Sequence, residues 1–424
     1  MAFVFDDRTK DLFKTLYGND DNIVQRQEKR YKASIDLFRE LFKYEGDVQL
    51  FSTPGRTEIG GNHTDHNLGR VLAAGVNLDS IAVATPTEDE IVTIYSKGFD
   101  KPFVANLNTL DPVGEEEGTT TALIRGIAYY FVQLGFKIGG FNAYINSDVL
   151  PGSGLSSSAS IEVLIGTIFS HLYNDGKVEP ETLAKVGQYA ENNFFGKPCG
   201  LMDQMACAIG GFVTIDFKDE DNPAVEKIDF DMRLQGYDLI VVDTGGSHAD
   251  LTEDYAAIPR EMKALAQAMG GRVCREFSMD KLIADIPMLR EKVGDRAILR
   301  GMHFFAENAR VERQVDALKQ ENFPLFLQLV NESGSSSWRW LQNVYATHDT
   351  EEQGVTLCLA LTEQFMEKKQ IQGACRVHGG GFAGTIQAYL PRAMTAIYTD
   401  MIEAIFGKGA ITVLDIRKYG TIKV

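Results

Sequence analysis

The chain has 424 residues, 44% of them hydrophobic and 24% charged, with a formal net charge of −17. That length exceeds one ordinary core and predicts two domains or one large one, of globular rather than disordered composition. The negative field repels nucleic acid and anionic membrane, so neither is expected as a partner, while a local pocket can still take an anionic small molecule.

The opening "MAFVFDDRTKDLF" has acids where a signal peptide has a basic start. No run of about 18 apolar residues predicts a membrane span. The five cysteines, Cys199, Cys207, Cys274, Cys358 and Cys375, lack metal-like pairing and read as reduced thiols of a cytoplasmic protein.

Residues 1–46 are helical in pattern. Ile35, Phe38, Leu41 and Phe42 fall on one face, and Gly46 is expected to end the helix. "DVQLFST" reads as a strand leading into "PGRTEIGGNHTDHN", which reads as a loop. "VLAAGVNLDSIAVATPTEDEIVTIYSKG" predicts two or three strands with a turn near "PTEDE". "TTALIRGIAYYFVQLG" predicts an amphipathic helix closed by Gly135. "GFNAYINSDV" alternates Phe141, Ala143 and Ile145 against polar positions, the pattern of a half-buried strand.

"LPGSGLSSSASIEVLIGTIFSHLYN" places a Gly/Ser loop between that strand and a helix with Ile161, Leu164, Ile165, Ile168 and Leu172 in register. "ETLAKVGQYAENNFFG" predicts another helix. After the acidic "KDEDNP" the pattern restarts with strand "YDLIVVDTG", several helices, a strand–loop–strand unit around "CRVHGGGFAGTIQAYL" and a helix from Pro391. A boundary is expected there, dividing residues 1–222 from 223–424. Strands interleaved with helices without a strict βαβ repeat predict an α+β fold.

Four stretches carry chemistry. In "PGSGLSSSAS", Gly152 and Gly154 let backbone N–H groups turn inward. Serines at the first helical turn meet the positive end of the dipole, a phosphate site. Their hydroxyls also suit a phosphate-bound Mg²⁺. No Gly-Lys-Ser or Gly-Lys-Thr occurs, so this is not a Walker loop, and the dinucleotide fingerprint is absent. In "HGGGFAG", residues 378–384, the excess of glycine predicts close approach to a ligand or another loop. In "GKPCGLMDQMACAIGG", Asp203 opens an apolar helical stretch. In "GRTEIGGNHTDHN", Arg56 can neutralise a carboxylate or a phosphate. His63, Asp65 and His66 make a poor zinc set, and the polar fan suits sugar hydroxyls better.

Together these stretches resemble the GHMP small-molecule kinases and, among them, the galactokinase family. "LPGSGLSSSASIEVL" is similar to the nucleotide motif. "GRTEIGGNHTDHN" is similar to the signature G-R-x-N-L-I-G-E-H-T-D-Y-N. "AENNFFGKPCGLMDQ" is similar to the catalytic-aspartate segment and "GGGFAGT" to the C-terminal glycine motif, with weaker echoes at "HFFAENARV" and "LVNESGSS". The resemblance implies an N-terminal domain like domain 2 of ribosomal protein S5, a ferredoxin-like C-terminal domain and an active site between them. It implies ATP- and Mg²⁺-dependent phosphorylation of a sugar at its anomeric hydroxyl, by a monomer or weak dimer.

By motif position, Asp203 is the implied catalytic aspartate and Arg56 its cationic partner. Gly152, Gly154, Leu155, Ser156, Ser157, Ser158 and Ala159 would bind the nucleotide, and Ser157 with Glu191 would hold Mg²⁺. Asn62, His63, Asp65, Gly200 and Tyr255 would contact the sugar. Position 62 departs from the signature: the family has Glu there, implied to contact the C6 hydroxyl. An amide in its place opens galacturonate or a pentose as substrates beside galactose. The signature's Asn-Leu is Glu58-Ile59, its Tyr is His66, and His378 stands where Thr or Ser is usual. A non-catalytic sugar and ATP sensor is a third reading, against which Ser157, Ser158, Ala159 and Asp203 are all present.

Overall fold

The apolar faces of the helices and strands close on two sheets. The computed structural model describes residues 5–149, 154–220, 222–246, 251–348, 350–382 and 384–424. The strands are β1 (Gln49–Gly60), β2 (Arg70–Pro86), β3 (Ile91–Ser96), β4 (Phe103–Asn106), β5 (Phe141–Ser147), β6 (Phe212–Asp216), β7 (Ala224–Ile228), β8 (Tyr237–Asp243), β9 (Ala374–Val377), β10 (Thr385–Pro391), β11 (Ile411–Leu414) and β12 (Ile422–Lys423). The first sheet has the order β12-β1-β2-β5-β3-β4, with β6 between β2 and β7; the second runs β11-β8-β10-β9. Among the described residues, only β3 and β5 pair in parallel.

The helices are α1 (Asp7–Tyr17), α2 (Asp21–Phe42), α3 (Thr120–Gln133), α4 (Ser157–Tyr173), α5 (Pro180–Ala190), α6 (Met202–Ile209), α7 (Thr252–Ala268), α8 (Met279–Lys292), α9 (Gly294–Lys319), α10 (Phe323–Ser336), α11 (Gly354–Lys369) and α12 (Thr395–Phe406). None of those described is long and apolar enough to cross a membrane. The α+β expectation holds. All five cysteines are free.

Four local expectations need correction. The N-terminal segment is two helices rather than one. The second stops at Phe42, where Lys43 takes the left-handed conformation that ends a helix, before Gly46. Leu41 stays exposed while Ile35 and Phe38 are buried. Strand β5 is buried on both faces, because α2 covers the side carrying Tyr144 and packs Tyr31 and Phe38 over Ile81 and Val83. The stretch "PGRTEIG" is not loop but the far half of β1, bent by bulges between Pro54 and Arg56 and between Glu58 and Gly60. The boundary expected between Asn222 and Pro223 falls inside the β6–β7 hairpin, so the first sheet runs on to Ile228.

The two layers are joined by one shared core. Ile59, Leu72 and Val76 of the first sheet meet Leu239, Val241 and Tyr389 of the second and Val311 and Phe326 of α9 and α10. The bulged end of β1, the start of α4 and the β9–β10 connection all reach this seam, which is where the polar stretches converge.

Candidate functional site

The bulge in β1 aims Arg56 away from the ladder. Its backbone N–H donates to the carbonyl of Leu155 (3.0 Å), and its Nη1 donates to the carbonyl of Gly154 (2.6 Å). The fork then meets Asp203 with two bonds, Nε to Oδ1 at 2.7 Å and Nη2 to Oδ2 at 2.9 Å. Ser156, itself in a left-handed conformation just before α4, donates its hydroxyl to Asp203 Oδ2. Burial would raise the Asp203 carboxyl, but the Arg56 guanidinium and the two sets of hydrogen bonds outweigh it and hold it below its ordinary range. The Asp203 side chain keeps 34% exposure against 9% for Arg56, so the carboxylate has an open edge.

The Gly/Ser loop divides into roles. Gly152 lies outside the described residues. Gly154 and Leu155 serve Arg56 with their carbonyls, and Leu155 and Ala159 are buried. Ser157 opens α4, so the backbone donors of its first turn face outward. The hydroxyl that reaches Glu191 is that of Ser158, at 3.4 Å, rather than that of Ser157. Glu191 Oε1 also lies 3.3 Å from Lys197 Nζ, and its Oε2 accepts from Gln204 Nε2 at 3.0 Å. Gln204 Nε2 reaches Glu162 as well (2.9 Å), and burial next to Glu191 pushes the Glu162 carboxyl well up. Among the described residues, no three His, Cys, Asp or Glu side chains cluster to hold a metal.

His63, Asp65, Gly200 and Tyr255 share one cavity of about 820 Å³, with Lys197 and Leu201 in its wall. A Cβ at Gly200 would stand 2.6 Å from Asp65 Oδ2, so any larger residue there has to move the Asp65 carboxylate. His63 faces the carbonyl of Gly380 at 3.0 Å through Nε2. A carbonyl only accepts, so Nε2 carries the proton, and burial and the neighbouring His66 push the ring down to about 4. The neutral ring therefore offers Nδ1 as an acceptor for a hydroxyl. The hydroxyl of Tyr255 donates to the carbonyl of Gly381 (2.9 Å).

Asn62 is not among these readers. It is 1% exposed. Its Nδ2 donates to Glu58 Oε1 (3.0 Å) and to the carbonyl of Gly379 (2.8 Å), while its Oδ1 accepts from Asn343 (2.8 Å) and Ser337 (3.3 Å). Two donors and two acceptor positions are the capacity of an amide, and all four face protein. Asn62 was expected to contact the sugar; in this structure its partners come from the chain around it.

Helix α9 holds the back of the same loop. His303 donates from Nε2 to the carbonyl of Asn62 (2.9 Å), and Glu307 accepts from the N–H of Gly61 (3.0 Å) and pairs with Arg310. Burial would raise Glu307, yet Arg310 and His303 hold it at about 2. The glycine stretch closes the front. A Cβ on Gly380 would stand 2.6 Å from the Tyr255 ring of α7, and one on Gly381 would overlap the carbonyl of Asn343, so the glycine excess serves close approach to neighbouring protein. Sequence reasoning missed His303, Glu307, Asn343 and Arg376. The first two lie in "HFFAENARV" at helical spacing i, i+4, which puts them on one face of α9.

Comparison with known proteins agrees with this geometry. Residues 122–211 match the GHMP kinases N terminal domain, and residues 36–86 match the galactokinase galactose-binding signature. The chain is 31% identical over 366 residues to a galactokinase of Limosilactobacillus reuteri, covering 84% of this chain and 89% of that one. It is 30% identical over 371 residues to a galactokinase of Lactobacillus helveticus, covering 86% and 89%. Among solved structures it resembles Lactococcus lactis galactokinase complexed with galactose, with a TM-score of 0.77 at 24% identity over 92% of this chain and 98% of that one. Methanococcus jannaschii mevalonate kinase shares the fold at a TM-score of 0.61 and 16% identity, over 88% and 99%. The chain belongs to the galactokinase family, a branch of the GHMP kinases.

Proposed function

We propose that this chain transfers the γ-phosphoryl group of ATP to the anomeric hydroxyl of galactose, giving galactose 1-phosphate. The observation that carries the reading is the two-bond Arg56–Asp203 pair, whose carboxylate takes the Ser156 hydroxyl at the start of α4 and lies just after Gly200 of the cavity shared by His63, Asp65 and Tyr255. Relatives that the chain matches along most of its length are named galactokinases.

The open edge of Asp203 accepts the hydrogen of the anomeric hydroxyl and aims its oxygen. Held below its ordinary range, Asp203 is a weak base, so it orients the nucleophile first and takes the proton late, as suits a loose phosphoryl-transfer transition state. Arg56 fixes that carboxylate in one orientation and places positive charge beside the transferred group. The first-turn N–H groups of α4 receive the phosphates.

Glu191 and the Ser158 hydroxyl offer hard oxygen donors of the kind Mg²⁺ takes, one carboxylate being enough when phosphates and water supply the rest. When bound there, the ion would neutralise phosphate charge. Lys197, the present neighbour of Glu191, is 64% exposed in its side chain and free to turn toward the phosphates.

The galacturonate reading rested on Asn62 removing a negative charge and offering an amide donor, and that amide has protein partners here. The test is ATP-dependent phosphorylation across galactose, galacturonate, arabinose and N-acetylgalactosamine. Product from galactose at the highest kcat/KM supports the proposal, and no product from galactose overturns it.

A further inference from the structure

We propose that Glu58 is a positioning residue that, through Asn62 and Arg376, locks the sugar loop at residues 61–63 to the glycine loop at residues 379–381. We propose also that the carboxylate and amide at positions 58 and 62 form an exchangeable pair. The inference rests on the galactokinase reading of the site. Glu58 is 5% exposed and Arg376 fully buried. A single oxygen, Glu58 Oε1, accepts from Arg376 Nη2 at 2.7 Å and from Asn62 Nδ2 at 3.0 Å. Arg376 uses its other donors on the carbonyls of Ile59 (2.7 Å) and Val377 (3.0 Å), and so ties the bulged end of β1 to β9.

From Glu58 the network runs directly to the glycine loop. The second Asn62 donor takes the carbonyl of Gly379. The next carbonyl, of Gly380, accepts from His63 and from Asn343 Nδ2 at 3.1 Å, and the next, of Gly381, from Tyr255. Three consecutive carbonyls are thus held by side chains of the sugar-binding side. The orientation of His63 and Tyr255 depends on where those carbonyls sit, and Asn62, anchored by Glu58, sets the first of them.

The galactokinase signature has Asn at the position of Glu58 and Glu at the position of Asn62. Here the two are reversed, and they touch. A change at only one position leaves either two carboxylates in contact or none facing Arg376, and removing one partner of a buried ion pair is far costlier than replacing both together. The pair therefore keeps one acid and one amide, whichever position holds which.

The test uses the full chain with Glu58→Gln, Glu58→Asn, Asn62→Glu and the reciprocal variant carrying both Glu58→Asn and Asn62→Glu. Thermal unfolding, KM and kcat for galactose and ATP, and hydrogen exchange of residues 379–381 without ligand are measured on each. Both single exchanges lower kcat/KM for galactose by about tenfold or more, and the reciprocal variant recovers about tenfold over the worse of them. Glu58→Gln raises the galactose KM more than the ATP KM and speeds exchange at residues 379–381. A folded Glu58→Gln with unchanged galactose KM and unchanged exchange overturns the positioning role. A reciprocal variant no better than the worse single overturns the exchangeable pair. If the parent chain phosphorylates no galactose, the functional reading fails on its own, and exchange at 379–381 together with the unfolding of the reciprocal variant still decides the lock.

Discussion

Arg56 and Asp203, 147 positions apart in sequence, meet as a two-bond pair whose carboxylate also receives the Ser156 hydroxyl. Asp203 is thereby held ionised and in one orientation. Asp203→Ala removes the group that aims the nucleophile, so kcat falls by about 10³ or more while ATP binding, measured by titration calorimetry, stays within about threefold. Arg56→Lys keeps the charge but loses the fork, and kcat falls by about 10². Turnover near the parent level in Asp203→Ala would remove Asp203 from its role.

Asn62 leaves no donor or acceptor for a C6 hydroxyl. A pocket built to bond a substrate hydroxyl rejects the analogue lacking it by about 10⁴ to 10⁵. Galactose and 6-deoxygalactose are therefore expected to differ by about tenfold or less in kcat/KM. A ratio above about 10³ would reveal another reader of C6.

Histidine burial sets an acid limit on stability. Desolvation and the nearby Arg56 and Arg376 push His378, 2% exposed, down to about 3, and burial lowers His303 as well. Folding thus favours the neutral rings. Their contribution is complete above the unfolded value near 6.5 and is lost as pH falls from there toward 3. Urea unfolding at pH 7.5 and pH 4.5 should show a loss on the order of a few kcal/mol. The loss should shrink in His378→Gln, which can still face Thr57 and Thr385. An equal loss in the variant counts against His378 as the source.

Asp79 anchors the N-terminal helices. It is fully buried and accepts from Arg30 (2.6 Å), Tyr17 (2.5 Å) and Arg417 (3.0 Å). Burial would raise its carboxyl, but Arg30 and Arg417 hold it below its ordinary range. Asp79→Ala strands Arg417 and leaves Arg30 with Asp148 (3.3 Å) as its carboxylate, and it costs about 3–5 kcal/mol, read as a lower midpoint in urea with the galactose KM unchanged in the folded fraction. A midpoint within error of the parent would show that the cations find other partners.

A Gly/Ser loop before an apolar helix reads as a candidate phosphate site from its own residues. The meeting of Arg56 with Asp203 followed from the family resemblance, and the structure brings the two together. The role of Asn62 was not legible, because its partners Ser337, Gly379 and Asn343 lie 275 to 317 positions away and no local pattern announces them. The strand character of "PGRTEIG" was hidden by Pro54 and two glycines, which read as loop, while pairing with the long β2 overrides that propensity. The second buried face of β5 was hidden too. Its cover comes from α2, and alternation in one strand cannot report what another element brings.

The edge of the first sheet has a consequence for synthesis. β1 is bordered by β12, Thr53 bonds Thr421 across 368 positions, and Asp79 waits for Arg417 across 338. At about 5–20 residues per second, the ribosome delivers those partners tens of seconds after the strand they complete. Through that interval the emerging chain carries an unpaired strand edge and an acid missing one of its two cations, so this is the period when a growing polypeptide most needs a chaperone.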